Sequence, residues 1–221
     1  MPTWRGFVVA VDTTTVDRPA AVPGFHGKLC GVGDFVRRRL SDALVQAWDA
    51  HVSQQLADVP GLRGAPWDAA VAAGQRWSFA MAAGVCDVRG WAGSVAPLRD
   101  RVGRAFPLLV ALPLTDAETT GAPALPSATW FDAVHQLLHR AQQGTLRLPD
   151  ELDAGCHALP AVVPGAIAAM PLGLAWQQCW VQQGSLWWRD GHAPCVVPGL
   201  PDASAFARMF TIAIDREESC R

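Results

Sequence analysis

From Ser127 to Gln142 the apolar residues recur with helical spacing. Trp130, Val134, Leu137, Leu138 and Ala141 stand at i, i+4, i+7, i+8 and i+11, which makes one stripe for a core. Gly144 stops this helix. An earlier helix is predicted from an N-cap at Ser41 to about Asp58, with Leu44, Trp48, Val52 and Leu56 along one side. Pro60, Gly61 and Gly64 end it, and a shorter helix is expected from about Pro66 to Ala73. Between these helices, Arg76–Met81, Trp91–Pro97 and Phe106–Leu114 read as strands, with turn chemistry around Gly84 and over Asp100–Arg104. The third run is apolar on both faces, as a central strand covered on two sides must be.

The flanks are less regular. Arg5–Val11 has strand character and leads into a polar, Thr-rich stretch from Asp12 to Arg18. Phe25–Leu29 reads as a short extended segment, with a turn at Gly31 and Gly33. Pro149–Pro171 is rich in Pro, Gly and Ala and declares no element. Trp176–Gln182 and Ser185–Arg189 suggest a hairpin turning at Gly184, and a last helix is expected from near Asp202, carrying Phe206, Met209 and Phe210. Strands interleaved with helices predict a single layered α/β domain, a mixed β-sheet flanked by helices on both faces.

Composition narrows this little. Half of the 221 residues are apolar, which excludes disorder as the main state. A net charge of −2 gives no global pull toward nucleic acid or anionic lipid. Lys28 is the only lysine. The six cysteines are widely spaced with no C-x-x-C pair, so they read as reduced, mostly buried thiols rather than a metal or redox motif. Neither an export signal nor an apolar run of the ~20 residues needed to cross a bilayer is recognised, so a cytoplasmic protein without membrane insertion is expected.

Catalytic motifs are weak. Gly24-Phe-His-Gly-Lys28 has too few residues between its glycines for a phosphate loop, and Leu29 stands where the metal-binding hydroxyl belongs. His135 and His139 have the spacing of a shared metal, but no Glu follows His135, and both are expected on a solvated helix face. Cys156-His157 is an adjacent thiol–imidazole pair, which adjacency alone does not make a nucleophile and base. No G-x-S-x-G elbow occurs. No cofactor or metal site is therefore expected, nor an enzyme.

Two clusters look more deliberate. Asp34, Arg37, Arg38 and Arg39 precede the first long helix, and Asp100, Arg101 and Arg104 occupy the turn before the central strand. Arg forks pair with carboxylates, so an Asp34–Arg101 or Asp100–Arg37 bridge joining the two loops is expected, either as a latch or as a docking surface with arginines to spare. Lys28, Asp34, Arg37, Arg38, Asp100, Arg101 and Arg104 are the candidate contact or latch residues.

Gly24-Phe-His-Gly-Lys-Leu29, Gly33-Asp-Phe-Val-Arg37 and Trp48-Asp49 resemble the opening signature of the TagF family, also called ImpM, accessory proteins of the bacterial type VI secretion system. Trp77-Ser-Phe79, Trp91–Val95, Asp100–Leu108, Ser185–Trp188 and Gly199-Leu-Pro201 are similar to its later segments, in the expected order. Cys30 stands where the family usually has Pro, and Pro97-Leu-Arg-Asp100 departs from Pro-Ser-x-Asp. On this resemblance residues 1–22 are an extension and 23–221 the TagF-like domain. The resemblance implies a regulator that represses type VI secretion after translation by protein–protein binding, in some members through a forkhead-associated scaffold protein. The rival readings are a small hydrolase or phosphotransferase using the Lys28/Asp34 region, and a structural subunit of the secretion apparatus.

Overall fold

The computed structural model describes residues 21–114, 122–163 and 170–211. The strand expected over Arg5–Val11 lies outside them. The chain runs β1 (Gly24–Gly27), β2 (Val36–Arg38), α1 (Asp42–Asp58), α2 (Ala65–Ala72), β3 (Trp77–Met81), β4 (Trp91–Arg99) and β5 (Ala105–Pro113). It continues with α3 (Ala128–Gln142), α4 (Pro149–His157), α5 (Met170–Val181), β6 (Gly184–Trp188), β7 (Cys195–Pro198) and α6 (Ala203–Phe210).

The described strands form one open sheet of seven in the order β2-β1-β5-β4-β3-β6-β7. The expected α/β layering holds, with helices on both faces. Within it every described pair is antiparallel rather than mixed. The reason is the connections: β1–β2, β3–β4, β4–β5 and β6–β7 are consecutive neighbours on short links, which only antiparallel pairing accommodates.

Alternation along the strands splits the core in two. Leu108, Val110 and Leu112 of β5 pack under α3, α4 and α5 with Trp130, Leu138, Leu152 and Trp176. Leu109 and Ala111 face the other way, under α1, α2 and α6, with Trp48, Trp67 and Phe206. Trp48 stacks on Trp187 at 6.2 Å between centroids, and Trp67 on Phe210 at 5.8 Å. Three caps fix helix starts: Ser41 Oγ accepts the Leu44 N–H, Ser127 Oγ that of Trp130, and Asp202 Oδ1 that of Ala205. At Gly27, φ is +143° and a Cβ would lie 2.2 Å from the Pro107 carbonyl oxygen, so β1 can approach β5 only without a side chain there.

Four elements differ from the sequence expectation: α4, α5 and the short strands β2 and β7. Trp176–Val181 belongs to α5, not to a strand; Trp176 and Cys179 are buried at i and i+3, a helical spacing that the apolar run disguised. The hairpin partner of β6 is instead β7, with Ser185 opposite Val197. The stretch beginning at Pro149 forms α4, whose first turn is held by Glu151 accepting the Arg147 and Leu148 N–H groups. No helix among the described residues is long and apolar enough to cross a membrane. The five described cysteines are free thiols.

Candidate functional site

The turn between β4 and β5 is organised by one carboxylate. Asp100 Oδ1 accepts the N–H groups of Val102 at 3.0 Å and Arg104 at 2.9 Å. Its Oδ2 accepts from Arg104 Nε at 2.7 Å and faces Lys28 Nζ at 3.3 Å. The Asp100 side chain is completely covered. Burial alone would raise its pKa, but the donors from Arg104, Lys28 and Val102 outweigh it and hold the carboxyl at about 2.

Sheet alternation turns His26 away from Phe25 and toward α1. There His26 Nε2 lies 2.6 Å from Asp49 Oδ1, while its Nδ1 is buried without a partner among the described residues. Phe35, in the loop before β2, covers both basic residues. Its ring stacks on His26 at 5.4 Å and 10°, meets Phe106 edge-on at 4.8 Å, and lies 3.9 Å from Lys28 Nζ. Phe35 nonetheless stays 44% exposed. This loop docks on the β4–β5 turn through backbone carbonyls: Arg101 N–H donates to Val32 O at 3.0 Å, and Arg104 Nη2 donates to Gly33 O.

Beside Phe35 opens a groove of about 390 Å³, walled by Lys28, Phe35, Phe106 and Arg104, by Ser53, Leu56 and Arg63, and by Arg99, Gly103 and Ala105. Arg99 is fully engaged: Nε on Asp68, Nη1 on Gly103 O and Nη2 on Arg63 O. Arg63 spends only Nε, on Leu56 O at 3.1 Å, and has no acidic partner among the described residues. The groove thus offers cationic donors over an aromatic floor.

The expected carboxylate bridges between the loops do not form. Asp34 is exposed, accepts the Phe35 N–H at 2.7 Å, and makes no ion pair among the described residues. Arg37 pairs with Asp42 at 2.5 Å; Arg38 reaches Asp150 and Asp153 of α4, and Arg39 also reaches Asp153. Arg101 is exposed. Asp100 is already saturated by its own turn and Lys28, and β2 aims its arginines at α1 and α4. Lys28, Asp100 and Arg104 therefore come together, while Asp34, Arg37 and Arg38 do not join them. His26, Phe35, Arg63, Arg99 and Phe106 complete the site without having been singled out for it. The signal available was the i, i+2 pairing of His26 with Lys28 on the face opposite Phe25.

The remaining motifs fall elsewhere. Gly24–Gly27 is a strand, so it wraps no phosphate. His135 is not on a solvated face: its Nε2 lies 2.9 Å from Ser78 Oγ, and burial, then the Arg76 charge, lower its pKa to about 4. Cys156 is buried with its thiol pushed up to about 11, and His157 Nδ1 turns back to Asp153 O. Among the described residues no group of three or more metal-ligating side chains gathers.

The family model of the TagF N-terminal domain, type VI secretion system-associated, matches residues 24–158, from β1 to the end of α4. The match includes every residue of the groove. The crystal structure of PA0076 from Pseudomonas aeruginosa PAO1 is similar with a TM-score of 0.63 at 30% identity, covering 86% of this chain and 94% of that one. No curated protein matches the chain. With three of the resembling segments, Gly24–Leu29, Gly33–Arg37 and Asp100–Leu108, contributing to one groove and the domain match spanning most of its sheet, the chain belongs to the TagF family of type VI secretion system-associated proteins.

Proposed function

We propose that this protein is a cytoplasmic regulator that holds the type VI secretion system inactive after translation by binding another of its components. The forkhead-associated scaffold protein is the partner that the family resemblance implies. One observation carries the reading. Segments that resemble the family signature converge on an open surface rather than only on the core: Lys28, Phe35, Arg104 and Phe106 wall the groove. An exposed aromatic ring beside cationic donors is the composition of a contact surface.

The reading is non-enzymatic. Lys28 is engaged by Asp100, and Asp34 bonds within its own loop, which counts against phosphoryl transfer by that pair. Affinity purification of the tagged full chain from cells expressing the secretion system tests the proposal. A soluble complex with the scaffold protein supports it. Fixed incorporation into the isolated apparatus supports a structural subunit instead, and phosphoester turnover abolished by Lys28→Ala supports an enzyme.

A further inference from the structure

We infer that the groove beside Phe35 takes an acidic segment of a partner protein, with an apolar or aromatic side chain set between its carboxylates. The inference rests on the regulatory reading in that the occupant is a protein. Charge complementarity selects the acid. Lys28, Arg63, Arg99 and Arg104 line the groove and no carboxylate does. The acids beside the wall have partners of their own: Asp100 is completely covered, the half-exposed Asp68 is held by Arg99, and Asp49 lies against His26.

The uncommitted donors are specific. Arg63 uses Nε on a backbone carbonyl and leaves both terminal nitrogens for a carboxylate fork. Arg104 uses Nε and Nη2 and leaves Nη1. These donors come from separate connections, Arg63 from the α1–α2 link and Arg104 from the β4–β5 turn. Between them the lining is apolar, made by Leu56, Phe106 and the half-exposed Phe35. A bare inorganic anion would satisfy the donors and leave that lining and most of the ~390 Å³ empty. A short peptide alternating acid with large apolar residues fills both. Nucleic acid is disfavoured by the short extent of the patch and the net charge of −2.

The probe is a fluorescein-labelled peptide of alternating glutamate and leucine, followed by anisotropy against the full chain. The control replaces every glutamate with glutamine. The glutamate peptide should bind, the glutamine peptide should not, and binding should fade as salt shortens the Debye length. Arg63→Gln and Arg104→Gln should each weaken it about ten-fold. Thermal melts accompany both variants; Arg63, whose side chain makes one hydrogen bond among the described residues, to a carbonyl, keeps the test sound if Arg104→Gln proves unstable. Equal binding of the two peptides, undiminished binding by Arg63→Gln, or tighter binding of a labelled oligothymidylate would overturn the inference. Scaffold capture by the same proteins is scored separately. Capture that survives both variants, with no peptide binding, sinks the groove assignment and leaves the regulatory reading standing. Specific peptide binding without scaffold capture supports the groove and removes the proposed partner.

Discussion

Lys28 Nζ stands 3.3 Å from Asp100 Oδ2, and neither side chain is more than 5% open to solvent. The pair ties the end of β1 to the turn between β4 and β5, so two distant segments of the chain share one buried charge contact. Asp100 also accepts three hydrogen bonds from Val102 and Arg104, which compensate the desolvation of its carboxylate. Such a network is worth little as a simple attraction, yet it is expensive to break halfway.

Asp100→Ala should therefore lower stability by ~3–5 kcal/mol, because it leaves Lys28 buried without its counter-ion. Arg38→Ala should leave the melting temperature nearly unchanged, since its ion pair with Asp150 is open to water and the largely covered Asp153 keeps Arg39 as a partner. Arg38 should also leave partner capture unchanged: its guanidinium is occupied by α4 and lies outside the groove wall. Urea unfolding of the two variants beside the wild type checks both statements. A fully stable Asp100→Ala protein would reverse the assignment of the latch.

Acid should weaken the fold in two windows. His135 has a folded pKa of about 4, below its ordinary value near 6.5, because burial, and then Arg76, disfavour the imidazolium. The unfolded chain then binds more protons between those values, so stability falls as pH drops through that interval, by up to about 3 kcal/mol. Asp100 is likewise depressed, to about 2, so its contribution is present above pH 4 and is lost toward pH 2. That loss is about 2 kcal/mol. His135→Gln can keep the hydrogen bond to Ser78 without the titration. Unfolding free energies at several pH values should show the first slope flattened in this variant and the second unchanged.

The periodicity of α1, α3 and α6 and the apolar runs of β3, β4 and β5 were legible, because each follows one period for several turns or residues. His135 was misplaced for an identifiable reason. A stripe drawn through Trp130, Val134 and Leu137 omits Phe131, which is also buried. Phe131 widens the covered arc and brings His135 onto its flank, within reach of β3. Trp176–Val181 was misread because an apolar run does not reveal its period when both neighbours are unreadable. For the site, the two loops were expected to join through Asp–Arg bridges, whereas their contact runs through Val32 and Gly33 carbonyls. Carbonyl acceptors belong to every residue, so no spacing of side chains could announce them.

Thiol chemistry should separate the cysteines. Burial pushes Cys86 and Cys179 up to about 12 and Cys156 to about 11, so all three stay protonated at pH 8 in the native protein, and Cys156 and Cys179 are also shielded. Iodoacetamide labelling read by peptide mass should modify Cys30 and Cys195, both half-buried, ahead of these three. In urea the difference should vanish. Early native labelling of Cys156 or Cys179 would contradict the packing under α4 and α5.

Repression of type VI secretion by this TagF-family protein, proposed above, is read by deleting its gene and measuring type VI substrate released into the medium. Release should rise above wild type and return to the wild-type level when the intact chain is supplied again. A fall in release on deletion would rule out repression and make the protein a required part of the apparatus.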